Sequence, residues 1–309
     1  NRFEGFLGFG SEETTGALEL NGYLNLNLIN NLNYGESFVL NYRSDENDLK
    51  TFNTKLTLPY LFRSPIGTEL KLSIFKKDST FTTAEQSANL YYQLNPKQKL
   101  FLGVKTAQSN SLDPIESSTI IDYKTSAYEL RYAYQNRTPK DLLFPVKSEI
   151  EAQLSRASRK TEAAKTNQTF LLIKASHLFK FNSSNSLYIN LNTQGIDSKN
   201  YLSNELLRFG GIKTIRGFEE NSINASAFGV IASEYRLRLS PTLYIHSIID
   251  AAYFNTPIKE GQKLIGLGFG FGLATQAGIL KFNLANGQVE NQNFRFSDSK
   301  VHLSLTARF

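Results

Sequence analysis

Three histidines, a glycine-rich run, an acidic cluster and one arginine in an apolar setting are the residues of this chain with chemistry to offer. His177, His246 and His302 fall on three separate alternating segments. Parity turns His177 outward, and nothing near His246 or His302 completes a nucleophile, base and orienting acid, so catalysis is not expected. The run Gly-Leu-Gly-Phe-Gly-Phe-Gly at 266–272 lacks the following helix that a phosphate-binding loop requires. Its glycines share one parity, which suits making room for a segment folded against them. The acids at 44–48 lack the spaced ligand loop of a calcium site, and with no cysteine in the chain, thiolate zinc and disulfides are excluded. No cofactor or metal is expected. What remains is ion pairing. Arg216 sits near the centre of Leu-Leu-Arg-Phe-Gly-Gly-Ile-Lys-Thr-Ile-Arg-Gly-Phe-Glu-Glu-Asn-Ser-Ile, residues 206–223. Its planar, permanently charged fork is suited to gripping carboxylates.

The elements that must position this arginine read as strands. Leu18, Leu20, Leu24, Leu26 and Leu28 alternate with Glu19, Asn21, Tyr23, Asn25 and Asn27, a period of two. The same rhythm returns at 264–273 and at 299–309, where the chain ends on Phe309. Carried through, it predicts about sixteen strands, near 2–10, 16–29, 36–45, 48–61, 66–76, 80–93, 98–107, 123–135, 145–156, 167–181, 184–194, 226–239, 242–254, 263–273, 276–284 and 299–309. Most are close to the 9–11 residues that a tilted strand needs to cross a bilayer. Connections after even-numbered strands are mostly tight, at 63–67, 95–98, 182–185, 240–242 and 275–278. Those after odd-numbered strands include the long ones, 108–122, 157–166, 195–225 and 285–298. Short turns at one end and long loops at the other predict a transmembrane antiparallel β-barrel, residues 1–309 forming one domain.

A water-soluble β-sandwich would also alternate, but sixteen strands would leave it with open hydrogen-bonding edges that closure removes. The polar parity carries Asn, Ser, Lys, Glu and Tyr, suited to a wet lumen. The net charge of +6 is modest and its cations are scattered, so no nucleic-acid partner is expected. The longest connection, 195–225, holds Leu206, Leu207, Phe209, Ile212, Ile215 and Phe218, too apolar for a solvated loop. Lipid does not accept irregular backbone, so this loop is expected to fold into the barrel interior.

At its tip stands Ile215-Arg216-Gly217-Phe218. Here the chain resembles the BamA/TamA/FhaC superfamily of outer-membrane protein assembly and translocation barrels. That resemblance implies an arginine-glycine-aromatic tip on the loop between strands 11 and 12 of a sixteen-stranded barrel, held by a glutamate on strand twelve and an aspartate on strand thirteen. Glu234 and Asp250 occupy those places, with Ala252 where the superfamily has glycine. Counted from the Ser240-Pro241-Thr242 turn, Asp250 falls opposite Ala232, with Glu234 one diagonal step away on the same face. Arg216, Gly217, Phe218, Glu234 and Asp250 are therefore the expected loop lock.

The resemblance also implies a lateral seam between first and last strands. Gly5 and Gly8 weaken the first, while Leu303, Leu305 and Phe309 lie on the last. The expected protein lies in the bacterial outer membrane with both termini periplasmic. It is expected to insert or translocate other proteins, and not to be an enzyme. Its partners would be outer-membrane lipid, unfolded outer-membrane clients, and periplasmic chaperones or accessory lipoproteins. With no methionine, the chain is expected to follow a signal peptide and periplasmic domains. A two-partner secretion translocator, a passive porin-type channel and the membrane anchor of an upstream enzymatic domain are the alternatives.

Overall fold

The computed structural model describes residues 2–11, 18–44, 49–112, 120–138, 140–276, 278–290 and 298–307. Sixteen strands in this region hydrogen-bond in chain order into one antiparallel sheet. They are β1 (Arg2–Ser11), β2 (Leu18–Ile29), β3 (Ser37–Ser44), β4 (Leu49–Leu58), β5 (Ile66–Lys77), β6 (Phe81–Asn95), β7 (Gln98–Ser111) and β8 (Tyr123–Arg137). The second half comprises β9 (Val146–Lys160), β10 (Lys165–Lys180), β11 (Asn185–Ser198), β14 (Ala227–Arg238), β15 (Leu243–Asn255), β16 (Gln262–Ala274), β17 (Gly278–Val289) and β18 (Ser299–Ala307). The remaining two, β12 (Leu207–Phe209) and β13 (Ile223–Ala225), pair only with each other inside the long connection between β11 and β14.

Period-two alternation builds the sheet, and its burial is inverted relative to a water-soluble protein. Along β8 the buried parity is Tyr123, Thr125, Ala127, Glu129 and Arg131, while Lys124, Ser126, Tyr128 and Leu130 are exposed. Leu102 is 67 % exposed and Leu130 49 %, whereas Glu69, Glu129, Arg131 and Ser155 are buried. Apolar residues outside and ionised residues inside would be costly in water. Inside, Arg131 on β8 bonds Glu69 on β5 and, at 3.1 Å, Glu151 on β9, while Glu129 accepts from Gln153 Nε2 at 2.8 Å. The inner face near the long connection departs from the expected polar lining. There Phe228, Val230, Ala252, Phe254 and Leu264 are buried and apolar, because the connection itself covers them.

The strands run further than the sequence pattern predicts at the end bearing the long loops. β7 reaches Ser111, β9 Lys160, β11 Ser198 and β17 Val289. The expected loop at 157–166 is therefore only a four-residue turn, in which the Thr161 amide bonds the Ala164 carbonyl at 2.9 Å. Ladder hydrogen bonding does not need apolar side chains, so polar stretches such as Ser158-Arg159-Lys160 continue the strand. At the opposite end, the connection after β8 is longer than a tight turn and buries Leu143 and Phe144. Phe144 meets Tyr244 edge-on at 4.8 Å, and Asp141 binds Arg238 through both carboxylate oxygens and Lys180 at 2.8 Å.

The two ends of the sheet approach each other: Cα atoms of β1 and β18 come within 8 Å. Among the described residues no hydrogen-bonded ladder joins them.

Candidate functional site

The connection from β11 to β14 lies against the inner face of the sheet, and its apolar residues explain why. Phe209 and Ile215 are fully buried, and Phe209 stacks on Phe228 at 4.5 Å and meets Phe254 at 5.3 Å. The connection turns back on itself through local hydrogen bonds. The Gly210 amide donates to Thr214 Oγ1 at 2.8 Å and the Gly211 amide to the Ile215 carbonyl at 3.0 Å. Ile212 is tied to Glu220 Oε1 at 2.9 Å. These contacts bring the next residue, Arg216, to the wall.

Arg216 is 5 % exposed and its two carboxylate partners come from adjoining strands. Its Nε donates to Asp250 Oδ2 at 2.8 Å and its Nη2 to Asp250 Oδ1 at 2.6 Å, a bidentate grip. Its backbone amide adds a third bond to Asp250 Oδ2 at 3.0 Å, and Nη1 donates to Glu234 Oε1. Asp250 stands opposite Ala232 in the β14–β15 ladder, the pairing that the turn count predicts. Burial disfavours the Arg216 charge, but the hydrogen bonds of Asp250 and the field of Glu234 more than offset it and hold the guanidinium above its ordinary basicity. The second oxygen of Glu234 accepts from Arg236 Nε at 2.7 Å. Arg236 lies 4.0 Å over the Tyr188 ring and 4.9 Å from that of Phe144, which links the lock to the connection after β8.

The tip backbone rests on glycine. Gly217 has φ of 91°, a left-handed conformation, and a Cβ there would sit 2.4 Å from the Gly287 amide nitrogen. Its amide also approaches His302 Nε2 on β18 at 3.4 Å. Phe218 packs against the apolar cluster and touches the Gly287 position. Of the glycine run, only Gly266 makes room for the connection: a side chain there would meet the Arg216 carbonyl oxygen at 2.3 Å. Gly268 faces the backbone of Leu284 and Ala285, Gly270 lies beneath His246 and Asn283, and Gly272 lies beneath the Tyr244 ring. The expectation that the whole run accommodates the loop is thus corrected. Large side chains on β15 lean across β16, and His246 and Tyr244 stand directly opposite Gly270 and Gly272.

A second anchorage, absent from the sequence reading, holds the base of the connection to the opposite wall. Glu205 pairs with the fully buried Arg159 on β9 and accepts from Gln168 Nε2 on β10 at 3.0 Å. Asn204 donates to Ser109 Oγ on β7 at 2.9 Å, and Arg208 lies 4.3 Å over the ring of Phe75 on β5. An acid followed by two leucines, Glu205-Leu206-Leu207, was the available signal. Beside this anchorage a cavity of about 360 Å³ remains, with Glu85, Lys105, Tyr123, Glu129 and Arg208 among its lining.

The seam residues are placed by backbone. Gly5 pairs with Leu24 and Gly8 with Asn21, while Leu303 and Leu305 pair with Phe282 and Leu280. Phe309 lies outside the described residues. Of the histidines, His246 bonds Asn283 Oδ1 at 2.8 Å and His177 bonds Ser148 Oγ at 2.8 Å.

Solved structures share this architecture. BamA from Haemophilus ducreyi lacking POTRA domains 1–3 superposes with a TM-score of 0.64 at 12 % identity, covering 97 % of this chain and 73 % of that one. CdiB from Escherichia coli gives 0.63 at 13 % identity, over 97 % of this chain and 61 % of that one. CdiB from Acinetobacter baumannii gives 0.58 at 14 % identity, over 93 % and 62 %. The chain thus has the β-barrel fold of the BamA and CdiB structures, and spans under two thirds of the CdiB chains. No family model and no curated protein matches the sequence.

Proposed function

We propose that residues 1–309 form the single transmembrane barrel domain of an outer-membrane protein of the BamA/TamA/FhaC superfamily, one that inserts or translocates other proteins. The observation that carries this reading is the clasp of Arg216 by Asp250 and Glu234, beneath a long connection packed on the inner face. The exposed aliphatic face supports a lipid setting, since a lipid-embedded sheet must satisfy its backbone by closing on itself. In this reading β1 meets β18, the connection is the inward-folded loop, and both termini lie in the periplasm behind polypeptide-binding domains.

The work is done by a templating edge. Gly5 and Gly8 weaken β1, and the seam against Leu303, Leu305 and Phe309 opens to offer unpaired backbone to a client strand. Pairing that backbone while burying the client's apolar side chains in lipid is downhill, so no nucleotide, metal or catalytic group is required. The partners are outer-membrane lipid, unfolded outer-membrane polypeptides, and the periplasmic chaperones or accessory lipoproteins that deliver them. Passage of a polypeptide through the lumen is the second reading, favoured by the polar cavity that the connection leaves unfilled.

The test uses full-length protein in liposomes with an unfolded outer-membrane polypeptide. The expected result is a client that becomes protease-protected and heat-modifiable, and loses both when cysteines at Gly5 and Leu305 are crosslinked. Steady ion conductance without client insertion would make the protein a porin. Full activity of the crosslinked form would refute the seam.

A further inference from the structure

We infer that the outward face of β8, β9 and β10 carries a binding site for a phosphorylated glycolipid in the leaflet nearest the long connections. The inference rests on the membrane placement proposed above. Four successive rows of outward side chains cross these strands. The first is apolar: Leu102, Leu130, Leu154 and Leu171 stand abreast and all are exposed. The next holds Tyr128, 75 % exposed, beside Arg156, an aromatic and a cation at the level where interfacial side chains anchor a barrel. The third is uncharged and polar, with the exposed Ser126 and Asn167 on either side of Ser158, whose own hydroxyl oxygen is buried. The fourth is three lysines: Lys124 directly opposite Lys160, and Lys160 directly opposite Lys165.

Like charges placed directly opposite one another destabilise a sheet. All three lysines are exposed, and among the described residues none forms an ion pair. Asp122, two residues before Lys124, is exposed and accepts from the Ser111 amide at 2.7 Å, with no ion pair among the described residues. Glu162, in the turn joining β9 to β10, and Asp197, beside Thr169 in the second row, are exposed and form no ion pair among the described residues. Arg156 donates to Thr169 Oγ1 at 2.5 Å and forms no ion pair among the described residues.

The order of the rows selects the occupant. Leu154 to Lys160 is about 20 Å of strand at roughly 3.3 Å per residue. With a tilt of about 40°, the lysines stand roughly 15 Å beyond the last leucine row. A phospholipid headgroup would reach Arg156 and stop. A molecule with acyl chains, then sugars, then further phosphates meets the leucines, the hydroxyl and amide row, and the lysines in turn. Lysine ammonium groups bind such phosphates as point charges.

The test compares the full chain with the variant K124Q/K160Q/K165Q and with the control K97Q/K259Q. Each is reconstituted with purified lipopolysaccharide, with phosphatase-treated lipopolysaccharide, or with phosphatidylglycerol, and retained lipid is measured after detergent exchange and sedimentation. Wild type and control are expected to keep untreated lipopolysaccharide at least tenfold better than the triple variant, and to keep neither of the other two lipids. Equal retention by the triple variant, or phosphatidylglycerol retained as well as lipopolysaccharide, overturns the site. Heat-modifiable mobility of all forms separates misfolding from lost binding. Failure to float with any liposome removes the membrane placement and this site together. Glycolipid retention without client insertion leaves the site standing and removes the proposed activity alone.

Discussion

Gly266 and Gly287 stand directly opposite each other across the β16–β17 ladder, and the backbone of Arg216 and Gly217 lies on both. A Cβ on Gly266 would be 2.3 Å from the Arg216 carbonyl oxygen, and one on Gly287 would be 2.6 Å from that of Gly217. Both obstacles are backbone, so no rotamer change relieves them. Gly266→Val and Gly287→Val are therefore expected to lift the tip and cost about 1–3 kcal/mol each. Gly195→Ala, where the nearest atom is 3.6 Å away, is the tolerated control. Protease cleavage within 206–223 reads the difference, and equal protection in all three variants would contradict this packing.

Arg216→Ala is expected to be more damaging, because it leaves Asp250, with no exposed surface, as an uncompensated buried charge. Breaking such a pair costs about 3–5 kcal/mol. The exposed pair Lys300–Glu219 near the same tip should be worth less than about 1 kcal/mol. Arg216→Lys should resemble Arg216→Ala more than wild type, since an ammonium cannot grip Asp250 twice and reach Glu234 as well. Asp250→Asn should loosen the same segment. Unchanged cleavage at 200–225 in Arg216→Ala and Asp250→Asn alike would count decisively against a lock.

Glu205→Ala removes the other anchorage by stripping Arg159 of its carboxylate. Cleavage is expected to rise at 199–206 while the tip stays protected. The two anchorages share no partner, so the combined Glu205→Ala/Arg216→Ala variant should show near-additive loosening, within about 0.5 kcal/mol. Strong non-additivity would mean that the connection moves as one rigid piece.

Asp141 predicts an acid-sensitive contact in the connection after β8. Burial raises its pKa, but the Lys180 ammonium, the Phe144 amide and Arg238 together outweigh this and hold it below its ordinary 3.8. A carboxylate depressed in this way stabilises the folded state fully above its unfolded pKa, and that contribution fades as pH falls through the folded value. Thermal unfolding in detergent should therefore show a smaller stability loss between pH 5 and pH 2 for Asp141→Asn than for wild type. An identical loss in both would remove Asp141 from the account.

Strand positions were legible because alternation is a local signal that each strand carries in its own residues. Strand ends were less so: Gln108 to Ser111 and Ser158 to Lys160 look like loop by composition, yet a ladder needs only backbone. The pairing of Asp250 with Ala232 could be counted because the Ser240-Pro241-Thr242 turn is short enough to fix the register. The partnership of Glu205 with Arg159 could not, since 46 residues separate them and nothing local sets their distance. The glycine run misled in part. Parity reports which face a glycine occupies, but not whether a distant loop or a neighbouring Tyr244 fills the space above it.

The connection is fastened at two places far apart on the sheet, to Arg159 on β9 and to Asp250 on β15, and so braces strands that the ladder alone joins only through their neighbours. Its described hydrogen bonds, ion pairs and ring contacts reach β5, β6, β7, β9, β10, β11, β14, β15 and β18. Load applied at the β1 edge passes to the braced strands through the sheet itself, along the β4–β5 ladder that runs from Leu49 opposite Lys77 to Leu58 opposite Thr68.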